Sequence, residues 1–360
     1  MGWFGLFDHE NAFFERDKLR QPGQPRPDPA SLLVRGSLMI ETRLSPGRRP
    51  QTLILFTGQG ELPMRLSLQS IPSGAIVLVL DQGGAITHCS LQLPHTSRLD
   101  ILRIIYSWDS VARTGQMALE CTSSEKVVLE PITAPRPIRL ADLCALLEPG
   151  LDQYVSPDVL YIAVSDELQP VGPMPTLAPT TPIATPAGYV PAGSLKRGDL
   201  VLTDSGQTAP VLHSVTCTVP ARGFFRPVRL RAPYFGLQQD IVVAPSQQMV
   251  ISGSVVDYMF GTEAVLVSAR HLIGGTAAAR DDCGPFTTYT QVLLPGHEAL
   301  IAAGTAIESL YIGRIRRNKT GLAASLLANL DRSGLPEHGK SVYPSLRPFD
   351  ALVLAEQRAA

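Results

Sequence analysis

The chain lacks the composition that marks several common classes of protein. Lys and Arg number 31 against 32 Asp and Glu, which leaves a formal net charge of -1. Without a basic excess, the sequence does not predict a nucleic-acid-binding protein. Aromatic residues make up only 6% and charged residues 18% of the chain, whereas hydrophobic residues make up 44%. This balance is typical of a folded globular protein and excludes a disordered or fibrous one.

Cysteine is scarce and scattered. The five cysteines have no pair at the Cys-x-x-Cys spacing of a zinc site, and an odd number makes no closed disulfide framework. His88, Cys89 and His95 also fit no common metal-site spacing. We therefore expect no metal, no cofactor, and cysteines that mostly pack as small apolar residues in a reducing compartment.

Long apolar runs are missing as well. No stretch approaches the roughly 18 apolar residues that cross a bilayer, so no membrane span is predicted. The stretch 1–19 has no basic start and is interrupted early by acidic residues, which predicts no cleavable secretory signal. A cytoplasmic location and export by another route are both left open.

The first half of the chain consists of short β-type segments separated by turn residues. Segments such as 38–44, 64–70, 75–80 and 101–108 alternate apolar with polar residues or are rich in β-branched ones, and Gly, Pro and Asp lie between them. Regular spacing of this kind predicts a β-sandwich over 31–150, similar to a lectin-type jelly roll. Trp108 is interpreted as a core anchor, with sugar stacking as the alternative.

The sandwich is expected to lie between two segments of a different kind. Residues 1–30 are interpreted as an N-terminal extension. Residues 138–150 have apolar side chains at helical spacing and end at Pro149-Gly150, which predicts a short helix. A Pro-rich stretch follows, and because proline disfavours a helix, 151–175 is predicted to be an extended linker.

Three stretches of the second half are specific when taken together. The first, 176–203, contains the pattern Leu-x-x-Gly-Asp-x-Val at 195–201. The second contains RPVRLRA at 226–232 and DIVVAPSQQMVI at 240–251. The third contains VLVSARHLIGG at 265–275 and HEALIAAGTAIES at 297–309. Gly-Asp before a strand favours a tight turn whose carboxylate accepts nearby N–H groups.

The order and spacing of these stretches resemble bacterial Hint (hedgehog/intein) self-processing domains over about 176–355. The positions that match the family pattern in the first and third stretches are Ile183, Thr185, Gly188, Leu195, Gly198, Asp199, Val201, His297, Glu298, Ala302, Gly304, Glu308 and Ser309. The resemblance implies an all-β, disc-like domain over 176–315 and a short helical tail over 316–360. The expected fold is therefore mainly β: a jelly-roll-like sandwich, a Hint disc and a helical tail.

The resemblance also implies where the chemistry of the family is carried out. A Hint domain begins with a Cys or Ser that attacks the preceding carbonyl, and a His in a Thr/Ser-x-x-His block polarises the scissile amide. Here Thr176 occupies the first position, and the block reads Ala244-Pro245-Ser246-Gln247. A threonine hydroxyl is a weak nucleophile without a dedicated base, and glutamine cannot carry a proton at neutral pH. We also consider His271 and His297, which lie in matching segments, as substitutes for the missing His.

Three hypotheses follow, and none predicts a cofactor. The first is a degenerate Hint domain without autocleavage that acts as a structural or binding module. This hypothesis favours a protein that is not an enzyme. The second is self-cleavage before Thr176 through an N-to-O acyl shift. The third is carbohydrate binding by the N-terminal sandwich, with a protein ligand as the other candidate partner. The candidate site positions are Thr176, Gln247, His271 and His297.

Overall fold

The computed structural model describes residues 2–15, 17, 28–44, 50–59, 63–72, 74–92, 101–122, 126–150 and 153–359. The chain divides into two compact units, Met1–Gly172 and Pro173–Ala360. Strands account for 45% and helices for 15%, so the expectation of a mainly β protein is confirmed. Within the described ranges, no helix has both the length and the apolar character needed to span a membrane.

In its described residues, the first unit is a sandwich of two antiparallel sheets with one short α-helix and a small two-stranded sheet. Its elements are β1 (Trp3–Phe7), β2 (Ala12–Phe14), β3 (Leu32–Leu33), β4 (Arg35–Arg43), β5 (Gln51–Thr57), β6 (Met64–Ser70), β7 (Ala75–Gln82), β8 (Ala85–Gln92), β9 (Ile101–Asp109), β10 (Thr114–Cys121), β11 (Val127–Thr133), β12 (Ile138–Arg139), α1 (Leu140–Leu147), β13 (Gln153–Val155) and β14 (Val159–Ser165).

The two sheets of this unit enclose a single apolar core. One sheet has seven strands in the order β11-β10-β9-β4-β14-β1-β2, and the other has five in the order β13-β5-β6-β7-β8. In β6 and β9, alternate residues face this core, as the two-residue period of a strand requires; Leu66 and Leu68 of β6 and Ile104 and Tyr106 of β9 are examples. The helix predicted over 138–150 is confirmed as α1, which buries its leucines in the same core.

Trp108 is a core residue. Its side chain is 0% exposed, its ring stacks on that of Tyr106 with centroids 5.5 Å apart, and its indole N–H donates to the Leu33 carbonyl at 2.9 Å. A buried indole with its one donor satisfied is a packing anchor. Its face is therefore not offered to a sugar.

Two boundaries predicted from the sequence are wrong. Residues 3–14 are not a separate extension, because β1 pairs with both β14 and β2 and its five residues are buried. Residues 153–165 are not linker, because β13 pairs with β5 and β14 lies between β4 and β1 in the seven-stranded sheet. The apolar sequence VLYIAVS of β14 provides buried side chains on both faces. His95 lies outside the described residues.

The second unit is built from short antiparallel strands with a helical C-terminal part. Its strands are β15 (Pro182–Thr185), β16 (Gly188–Pro191), β17 (Leu200–Leu202), β18 (Thr208–Pro210), β19 (His213–Pro220), β20 (Val228–Leu230), β21 (Ile241–Val243), β22 (Gln248–Ser252), β23 (Ala264–Ser268), β24 (Ala278–Arg280), β25 (Phe286–Leu293), β26 (Ala299–Ala302) and β27 (Thr305–Glu308). Its helices are α2 (Ser254–Phe260), α3 (Lys319–Ala323) and α4 (Pro348–Ala359).

These strands form several small sheets around a second apolar core. The largest sheet has the order β16-β15-β26-β27-β22-β23, and the others are β17-β18, β19-β25 and β21-β20-β24. The predicted Gly-Asp turn precedes β17: Gly198 adopts a φ of 94°, and the Asp199 carboxylate accepts the Lys196 N–H at 2.8 Å. The C-terminal part packs back on this unit, since Leu266 exchanges main-chain hydrogen bonds with Pro344 and Leu346.

Candidate functional site

Main-chain pairing fixes the position of Thr176. The next residue, Leu177, exchanges two hydrogen bonds with Thr290 of β25, at 3.1 and 2.8 Å. On the other side the Thr176 carbonyl accepts the Ala244 N–H at 2.6 Å, just after β21. Thr176 is therefore held between two strands, with its side chain half-buried and Pro175 before it buried.

The hydroxyl of Thr176 contacts the side chain of Gln247. Gln247 ends the turn Ala244-Pro245-Ser246-Gln247, in which its N–H donates to the Ala244 carbonyl at 3.0 Å. Its side chain is 1% exposed, and its Oε1 accepts the Thr176 hydroxyl at 2.5 Å. The structure thus brings together two residues that are 71 positions apart in the chain.

The remaining contacts of Gln247 determine which way its amide faces. Its Nε2 donates to the Gln248 carbonyl at 2.8 Å and to the Glu308 carbonyl at 3.2 Å. Because carbonyls only accept, the amide nitrogen must lie on that side, and the oxygen must face Thr176. The group presented to the Thr176 hydroxyl is therefore a neutral acceptor.

Two further residues complete this cluster. Gln291 on β25 is 2% exposed, and its Nε2 donates to the Glu308 carbonyl at 2.7 Å and to Gln247 Oε1 at 3.4 Å. Sequence reasoning matched Glu308 to the family pattern but missed Gln291. The sequence offered one signal, a glutamine within the apolar β-type segment 290–295. This pattern suggests a buried polar side chain but does not show which residue it contacts.

His271 lies in a short helical turn at 269–271 and contacts Arg270. The guanidinium Nε of Arg270 donates to His271 Nε2 at 3.0 Å. Burial and the neighbouring Arg270 charge lower the pKa of His271 to about 4, so the ring is neutral near pH 7. Within residues 173–359, it makes no hydrogen bond to Thr176.

His297 faces the C-terminal part of the unit. Its Nδ1 accepts the Val342 N–H at 3.0 Å, and its Nε2 lies 3.0 Å from a Glu308 carboxylate oxygen. The side chain is 1% exposed and packs against the rings of Tyr311 and His338. His297 therefore approaches the Thr176 cluster through Glu308, not through Thr176 itself.

Parts of the chain are similar to a known family and to several solved structures. The family model described as the Hint domain matches residues 175–314. No curated protein sequence matches the chain. The chain is similar to the MchDnaB-1 intein, at 17% identity over 37% of this chain and 98% of the intein, with a TM-score of 0.27.

Two solved structures of other kinds are also similar to this chain. The carbohydrate-binding module CBM40 of the Ruminococcus gnavus IT-sialidase is 11% identical over 46% of this chain and 92% of the module, with a TM-score of 0.29. Sheep galectin-11, solved in complex with glycerol, is 12% identical over 37% of this chain and 84% of the galectin, with a TM-score of 0.23. Likenesses at these TM-scores assign no ligand.

Proposed function

We propose that the Hint domain that the chain carries at residues 175–314 does not cleave itself. Instead, it acts as a structural or binding module. One observation supports the proposal most strongly. The Thr176 hydroxyl donates to the amide oxygen of Gln247, and these are the two residues that we assign to the positions of the family nucleophile and the family His.

The first step of the family chemistry requires proton movement that this pair does not support. In an N-to-O acyl shift, the Thr176 oxygen would attack the Pro175 carbonyl carbon. The C–N bond would then break, and the hydroxyl proton would finally reside on the freed amine. An amide oxygen is a very weak base, and Gln247 Nε2 already donates to two carbonyls. Loss of one general acid or base commonly costs about 10²–10⁴-fold in rate.

The same contacts support an architectural role. Gln247 links the first residues of the domain to the turn after β21, to β22 and, through the Glu308 carbonyl, to the end of β27. Buried amide groups that are hydrogen-bonded on both sides specify one arrangement of the chain. We therefore assign to Gln247 the role of holding Thr176, at the start of the domain, in place.

Restoring the family residues tests this proposal. A variant with Thr176→Cys, Gln247→His and Ala244→Thr should yield a fragment ending at Pro175 when a thiol is added. The wild-type chain should remain at 38.7 kDa by intact mass spectrometry. Thr176→Ala, alone and combined with Gln247→His and Ala244→Thr, is the matched control.

Cleavage of the wild-type chain that is lost in Thr176→Ala would support the self-cleaving alternative and overturn the proposal. Carbohydrate binding by the first unit is a separate candidate. It is tested by applying the full chain to a glycan array, where the absence of any bound glycan would remove it.

A further inference from the structure

Two buried histidines connect the body of the second unit to its C-terminal segment. His338 is 2% exposed, and its ring lies 5.6 Å from that of His297 between centroids. We call residues 336–342 the strap. His338 belongs to the strap itself, whereas His297 lies in the loop before β26 and accepts the Val342 N–H of the strap.

The contacts of His338 require a neutral ring. Its Nε2 lies 3.2 Å from the Leu294 carbonyl, which only accepts, so Nε2 carries the proton. Its Nδ1 accepts the Ile312 N–H at 3.3 Å and therefore carries none. Burial, the largest cause, lowers the pKa of His338; the hydrogen bond to the Leu294 carbonyl raises it, and the neighbouring His297 lowers it.

His297, like His338, accepts a main-chain N–H at its Nδ1 atom. A proton added there would therefore replace an attraction with a clash between two donors. The Nε2 of His297 lies 3.0 Å from a Glu308 carboxylate oxygen. The phenol ring of Tyr311 packs against both imidazoles.

Glu337, the acidic residue of the strap, is paired with two arginines. Glu337 pairs with Arg317 at 2.5 Å and with Arg316 at 2.6 Å. Hydrogen bonds from these two guanidinium groups hold the pKa of Glu337 at about 2. Glu337 therefore stays ionised between pH 7.5 and 5. Glu298, next to His297 in the chain, turns its carboxylate towards Gly296.

We infer that His338 and His297 clamp the strap on the Hint domain, and that protonation of the His338 ring releases it, because the buried ring accepts the Ile312 N–H at one nitrogen and contacts the Leu294 carbonyl with the other. The sign follows from linkage. A histidine that is neutral when the strap is closed, and titrates near 6.5 when it is open, makes opening more favourable as the pH falls below 6.5. If the closed ring stays neutral, one such histidine raises the opening constant roughly 30-fold between pH 7.5 and 5.0.

Amide hydrogen exchange on the intact chain tests the clamp. After correction for the intrinsic effect of pH on exchange, protection of the Val342 and Ile312 amides should fall roughly 30-fold from pH 7.5 to 5.0. The Thr290 amide, bonded to Leu177 within the same unit, should keep its protection and thereby show that the unit has not unfolded as a whole. A change at Val342 and Ile312 of less than about threefold would overturn the inference.

Substitutions separate the histidines from other effects of acid. In His297→Asn and His338→Asn, the amide oxygen replaces Nδ1 as the acceptor but does not titrate, so the double variant should keep its protection at pH 5.0. His213→Gln is the matched control on β19 and should behave as the wild type does. Should the double variant fail to fold, nitrogen NMR of the wild-type rings decides. The clamp predicts the Nε2–H tautomer for both rings at pH 7.5, and the opposite tautomer in either would overturn it.

Discussion

Replacing Gln247 with leucine measures how much the polar cluster contributes to the second unit. Leucine has a similar volume but removes an acceptor from Thr176 and Gln291 and a donor from the Gln248 and Glu308 carbonyls. Thr176 is half-buried and can turn to water, and Gln291 still donates to Glu308. One or two buried groups are therefore left unsatisfied.

Each unsatisfied buried group costs about 1–3 kcal/mol, so Gln247→Leu should lower the free energy of unfolding of this unit by about 2–4 kcal/mol. Gln239→Leu, at an exposed position of the same unit, should change it by less than about 0.5 kcal/mol. Thr176→Val should cost about 1 kcal/mol, and less in the Gln247→Leu background, because the two residues share one hydrogen bond.

Urea unfolding is suited to this comparison because the two units can be followed separately. Both tryptophans, Trp3 and Trp108, belong to the first unit, so fluorescence reports that unit. Hydrogen exchange at the Thr290 amide reports the second. A Gln247→Leu chain in which this amide is as well protected as in the wild type would refute the assignment of a fastening role to Gln247.

Three further outcomes are expected. Arg103→Met should destabilise the first unit by about 3–5 kcal/mol in fluorescence-monitored urea unfolding, because it leaves the buried Glu41 and Glu120 carboxylates without their guanidinium partner. Replacing all three residues with apolar ones should restore most of the lost stability. Trp108→Ala should cost about 3–5 kcal/mol by circular dichroism, since it empties a fully buried site; an unchanged melting curve would contradict this. Burial lowers the pKa of His271 to about 4, so this ring contributes stability that is lost as the pH falls from about 6.5 towards 4, and His271→Gln should show a shallower loss in acid titrations of stability.

The patterns that were readable from the sequence are local. Alternation along β6, helical spacing along α1 and the Gly-Asp turn before β17 each depend on a few neighbouring residues, and all are present. The Hint resemblance rested on several such patterns in a fixed order, and the family match at 175–314 confirms it.

The features that the sequence did not predict depend on pairing between residues that are far apart in the chain. The short apolar segment WFGLF looked like part of an extension, because its main partner, β14, lies more than 150 residues away in the chain. Proline content suggested a linker over 151–175, yet β14 inserts into the sheet before most of those prolines. Gln291 meets Gln247 only because β25 and the turn after β21 converge in space.

The central claim is that the Hint domain of this chain does not form an ester at Pro175. Incubating the full-length protein with hydroxylamine under native conditions and mapping its peptides by mass spectrometry tests this directly, because hydroxylamine traps an acyl ester as a hydroxamate. The account predicts an intact Pro175–Thr176 bond with no hydroxamate on Pro175, in the wild type as in Thr176→Ala. A hydroxamate on Pro175 that is absent from Thr176→Ala would contradict it.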